Sequence, residues 1–165
     1  MMITFLNPQE KNFYKLNDNS VVVKFSYGNH SIIFTSDISY NVIDYFNKFD
    51  NKSQFVCDIL VYPNHGYLEL DKKSEITLEE SISNLINLFQ PKYVVVQYGS
   101  PAKVLGMRRS RAFKKKMEES KNIIESLGVK YFNTNDDLAI ITESDGEKLE
   151  IQTYKEIKYG KEKVA

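Results

Sequence analysis

The sequence predicts an α/β domain built on a mixed β-sheet with helices packed against it. Three observations carry this expectation. The early apolar run "SVVVKFSYGNHSIIFTS" (20–36) reads as a β-hairpin, its strands rich in Val, Phe and Ile and its turn at Gly28-Asn29. Later strand-like runs, "FVCDILVY" and "KYVVVQYG", alternate with segments of helical periodicity. Hydrophobic residues make up 42% and charged residues 27%, a globular balance over 165 residues, enough for a single domain spanning 1–165.

In chain order, "ISYNVIDYFNKF" sets Ile38, Val42, Tyr45, Phe46 and Phe49 at helical spacing and predicts a helix over 38–48. "TLEESISNLINLF" places Leu78, Ile82, Leu85 and Leu88 or Phe89 on one face. Thr77 and Glu80 form a capping box there, so a helix is expected over 77–89. "RAFKKKMEESKNIIESLG" aligns Phe113, Met117, Ile124 and Leu127, with Gly128 as the residue past the helix end. A helix over 108–127 follows, and the segment before it reads as a loop. "VKYF", "LAIIT" and "KLEIQTY" read as closing strands, the last two joined through Ser144-Asp145-Gly146.

Lys+Arg and Asp+Glu are both 22, so net charge argues for neither nucleic acid, membrane nor acidic substrate. One cysteine, Cys57, excludes an internal disulfide framework and fits a reducing, cytoplasmic setting. No apolar run approaches the roughly 20 residues of a membrane span, and the N-terminal stretch lacks a signal-peptide core.

Two residues raise the question of chemistry. Asp37 follows the second hairpin strand, where it serves either as a helix N-cap, a task Ser39 could equally perform, or as a metal-ligand carboxylate at a strand's carboxyl end. His65, one of two histidines, ends "DILVYPNHG", which is turn chemistry or a ligand position. The other, His30, falls at the hairpin tip and reads as exposed. A third feature is charge. Lys103, Arg108, Arg109, Arg111, Lys114, Lys115 and Lys116 crowd the start of the third helix, against its macrodipole. Lys114–Glu118, Lys115–Glu119 and Lys121–Glu125 pairs would make this a solvated face. Arg108, Arg109 and Arg111 have no such partners and, with Lys114, form a candidate anion or nucleic-acid site flanked by Tyr62 and Tyr98 as stacking residues.

"NDNSVVVKFSYGNHSIIFTSDIS", "DILVYPNHG", "QPKYVVVQYG" and "IIESLGVKYFNTNDDLAIIT", taken in this order and spacing, resemble the metallo-β-lactamase-like domain of ComEC-type competence proteins, which act in DNA uptake. "ITFLNPQE" resembles the family's segment just upstream. The resemblance covers nearly the whole chain but only the second half of that fold. It implies a half-sandwich of mixed strands and helices, with a site for zinc or manganese. Asp37 matches the family's "TGD" carboxylate, and Asn64-His65 matches its "HHG" pair, with Asn64 in place of one histidine. The family's HxHxDH motif and its later "GHP" loop have no counterpart here.

Asp37 and His65 are thus at most two ligands, whereas zinc takes three or four from protein. Cys57 and Asp58 are conceivable additions, although Cys57 suits the core. Two functional readings follow. The chain is half of a metal-dependent phosphodiesterase or nuclease, completed by another segment or by a partner carrying the HxHxDH half. Alternatively, it is a metal-free module that binds an anionic or nucleic-acid partner through its basic stretch. Strands apolar on both faces further predict pairing with a second copy or with that partner, unless "KLEIQTYKEIKY" folds back over the exposed face.

Overall fold

The computed structural model describes residues 1–8, 13–71, 75–98 and 102–160, with the backbone alone for 102–110. Its main sheet has six strands in the order β1 (Met2–Asn7), β2 (Val22–Tyr27), β3 (His30–Phe34), β4 (Ile59–Val61), β5 (Tyr93–Val96) and β6 (Lys130–Asn133). β1, β2 and β3 pair antiparallel, while β3 to β6 run parallel, so the sheet is mixed as expected. A helix follows each of β3, β4 and β5: α1 (Tyr40–Phe46), α2 (Leu78–Phe89) and α3 (Ala102–Ser126). The strand order advances in one direction, and parallel crossovers are right-handed. All three helices therefore fall on one face, where α2 packs between α1 and α3.

The core lies beneath these helices. Ile33, Leu60, Val94 and Val96 from the strands meet Phe46, Ile82, Leu85, Phe89 and Ile124, all at most 1% exposed. Phe46 stacks on Phe55 with centroids 4.5 Å apart. The capping box at Thr77 and Glu80 is complete, and Gly128 leaves α3 at φ 80°.

The opposite face is also apolar. By register, Ile3, Phe25, Ile32, Ile59 and Tyr93 line one row across it, and Phe5, Val23, Phe34, Val61 and Val95 the next. A second sheet, β7 (Ile140–Ser144) with β8 (Leu149–Thr153), continues into α4 (Tyr154–Tyr159). Thr142 and Leu149 come over Phe25 and Ile32, and Thr153 and Glu156 border a cavity beside Phe132. The C-terminal segment thus folds back and covers part of this face.

Three expectations are corrected. The segment before residue 108 is no loop from Ala102 onward, because α3 begins there. β1 is a strand absent from the sequence reading. The hairpin tip at His30 is not exposed: the Asn29 amide donates to the Gly146 carbonyl at 2.8 Å, and the His30 side chain is only 14% exposed.

Candidate metal-ligand site

The parallel strands deliver their following loops to one end of the sheet, where open α/β sheets place ligands. After β3, Thr35 is buried and its hydroxyl donates to the Val61 carbonyl at 2.6 Å. Ser36 turns left-handed, with φ 51°, and its hydroxyl donates to the Val21 carbonyl at 2.7 Å. Asp37 comes next. It does not cap α1: Ser39 does, its side chain accepting from the Asn41 amide at 3.3 Å. The buried Asp18 carboxylate takes the Ser39 amide at 2.8 Å. Asp37 is therefore relieved of the structural task the sequence could have assigned it.

After β4, residues Asn64–Gly66 form a 3-10 turn in which three successive residues are left-handed, with φ 48°, 55° and 96°. A left-handed L-residue costs roughly 1–2 kcal/mol, and such strain concentrates at functional positions. The turn is fixed by the Asn64 amide, which donates to the Ser36 carbonyl at 2.9 Å and so ties the two loops together. A β-carbon at Gly66 would lie 2.6 Å from both Met117 Cε and Val96 Cγ1. Glycine is needed there because α3 and β5 press against the turn.

These loops bring His65 to Asp37. His65 Nδ1 lies 3.0 Å from the Gln97 carbonyl oxygen, and Nε2 lies 3.8 Å from Asp37 Oδ1. A carbonyl only accepts, so Nδ1 donates in this hydrogen bond and Nε2 is the nitrogen that faces the carboxylate. His65, rather than Asn64, is the residue whose side chain reaches Asp37. The two side chains are 66% and 46% exposed. As a bare surface ion pair this contact would contribute little to stability.

As ligands the pair fits in part. Two atoms each about 2.0–2.2 Å from a tetrahedral ion stand about 3.4 Å apart, close to the separation seen, and a metal-binding histidine commonly holds its other nitrogen on a carbonyl. No group of three or more His, Cys, Asp and Glu converges among the described residues, so these two do not complete a site by themselves.

Neither Cys57 nor Asp58 supplies the deficit. Cys57 is 4% exposed, and burial pushes its thiol up to about 12. Asp58 sits just before β4, at the opposite end from His65, where it accepts from the Ser31 amide at 2.9 Å and Lys92 Nζ at 2.7 Å. His30 Nδ1 is 3.6 Å from it. This cluster was not legible in the sequence, because it depends on which strand ends become neighbours.

The basic stretch falls on α3. Arg108 and Arg109 lie on its backbone, and their side chains lie outside the described residues. Since the helix starts at Ala102, Arg108 and those after it stand beyond the first turn, where the macrodipole argument weakens. Arg111, Lys114 and Lys115 are exposed, and none of the expected i,i+4 pairs is among the ion pairs of the described residues. Lys116 Nζ instead meets the Tyr67 hydroxyl at 3.2 Å, which sets α3 beside the His65 turn. Lys114 and Lys121 border a cavity of about 210 Å³ with Tyr98 and Tyr131. Tyr62 is no stacking residue: it is 3% exposed, and burial raises its hydroxyl far above the ordinary value.

No family model matches the chain, and no curated protein matches it. No helix among the described residues is long and apolar enough to cross a membrane.

Proposed function

We propose that this chain is the metal-site half of a metallo-β-lactamase-like phosphodiesterase or nuclease of ComEC type, incomplete alone, whose remaining ligands come from another segment or chain. The observation that carries this reading is the Asp37–His65 pair, with His65 Nδ1 held on the Gln97 carbonyl and Nε2 turned to Asp37 Oδ1. A zinc or manganese ion held there would supply an activated water for attack on a phosphodiester. Asp37 and His65 would hold it, and the Gln97 carbonyl would orient the imidazole. Arg111 and Lys114, preceded in α3 by Arg108 and Arg109, would offer positive charge to a phosphate backbone. The lone cysteine accords with a reducing, cytoplasmic setting. A metal-free module that binds an anionic or nucleic-acid partner draws on this same basic stretch, and Lys114 and Lys115, which have no ion-pair partner among the described residues, favour it.

One experiment separates the two. The purified chain is expected to hold less than one metal per chain, to bind added zinc more weakly than about 1 μM, and to lose that binding in Asp37→Asn and His65→Gln. Calorimetric titration with zinc alone reads this. Two tightly held metals per chain would contradict incompleteness. Zinc binding unchanged in both variants, or absent from the wild type, would remove the metal reading. Retention of a single-stranded oligonucleotide by the double variant would then leave the binding module.

A further inference from the structure

β1 is an outer strand, hydrogen-bonded only to β2. Among the described residues, no hydrogen bond outside that ladder reaches the backbone of residues 2–6. Monomeric proteins guard such edges with charge, proline or a bulge. The strand MITFLN has no charged residue. Its irregularity lies between Phe5 and Asn7, so Met2 to Phe5 form an unguarded edge. Met1, Met2, Ile3 and Phe5 are 85%, 61%, 48% and 69% exposed.

We propose that β1 pairs antiparallel with β1 of a second copy of this chain, about a two-fold axis at Thr4, and so joins the two main sheets edge to edge. The strand is self-complementary in that register. Ile3 faces Phe5 of the second copy, Phe5 faces its Ile3, and Thr4 faces its Thr4. Aromatic–β-branched and Thr–Thr pairs are both favourable across antiparallel strands. No like charges meet across the axis. A slip of one residue would oppose Ile3 to Thr4 and turn the second copy's apolar face the other way. The pairing satisfies the outward backbone groups of both edges and removes part of the exposed surface of Ile3 and Phe5 in each copy. The pairing is independent of the Asp37–His65 site, which lies off β3 and β4 and stays open.

The test is sedimentation of the full chain well above micromolar concentration, combined with a short bifunctional thiol reagent applied to Thr4→Cys in a Cys57→Ala background. The wild type is expected to sediment at twice the chain mass of 19.2 kDa. Ile3→Lys/Phe5→Lys is expected to halve that mass with an unchanged circular dichroism spectrum, and Thr4→Cys to cross-link to dimer. A wild-type monomer, a dimer that survives both lysines, or a dimer that Thr4→Cys does not link would each overturn the proposal. Should the lysine variant fail to fold, the cross-link alone decides.

Discussion

Asp58 illustrates how a single carboxylate can organise one end of a parallel sheet. Its side chain takes the Ser31 amide and Lys92, while its backbone carbonyl takes the amides of Lys92 and Tyr93 at 2.9 and 3.0 Å. β3, β4 and β5 are thereby pinned at their amino ends. Burial alone would raise the Asp58 carboxyl, but the Lys92 ammonium, the Ser31 amide and His30 together outweigh it and hold the group below the ordinary value. Its contribution to stability is therefore complete above the unfolded carboxyl value of about 3.9 and is lost as pH falls through the lower folded one. Asp58→Ala is expected to cost about 2 kcal/mol near neutral pH, most of it from the half-buried Ser31 amide, since Lys92 is 67% exposed. The gap between the urea midpoints of wild type and variant should begin to narrow only below about pH 3.9 and close as pH falls on through the lower folded value. A gap that persists in acid would deny the carboxylate this role. Asp37 and His65 were legible in the sequence because each ends a strand-like run. Asp58 and His30 were not, because their meeting depends on the docking of a hairpin whose Ser31, 27 residues away in the chain, donates to Asp58.

Elements with local signals matched the sequence reading. The Thr77–Glu80 box, the Gly28 turn and the Gly128 exit each depend on chemistry within a few residues. β1 escaped because MITFLN has no polar alternation: Ile3 and Phe5 are apolar on one face, and Leu6 is buried on the other. The start of α3 escaped because the segment before residue 108 read as a loop, whereas an interior glycine such as Gly106 costs a helix only about 1 kcal/mol. The docking of the small sheet depends on Gly28, at φ 56°, where a β-carbon would strike the Gly146 backbone. Gly28→Ala should add roughly 1–2 kcal/mol of left-handed strain to that clash and release the β7–β8 turn. Hydrogen exchange reads this as faster exchange at Leu149–Thr153, with the amides of α2 unchanged. Equal protection in wild type and variant would show that the turn contact does not hold the hairpin.

At the scale of the whole molecule, the sequence reading anticipated a sheet apolar on both faces and left open what covers the second. The helices take the first face entirely, because every crossover turns the same way. The second is covered in part by β7, β8 and α4, while the exposed residues Ile3 and Phe5 mark where that cover stops. Only the folded chain reveals this division, since strands that are apolar throughout carry no mark of which layer meets them. The cover should be separable from the core. In β8, Leu149, Ile151 and Thr153 alternate with the exposed Glu150 and Gln152, and Leu149 closes over Phe25 and Ile32. Replacing Leu149 and Ile151 with Asp places two unpaired carboxylates against an apolar surface, which opposes docking by several kcal/mol. The helical layer does not depend on those contacts, so α-helical circular dichroism should persist while a hydrophobic dye binds the uncovered strands. The wild type should bind much less of the dye. If the double variant instead unfolds as a unit, with helices and sheet lost together, then the small sheet belongs to the cooperative core and is no detachable cover.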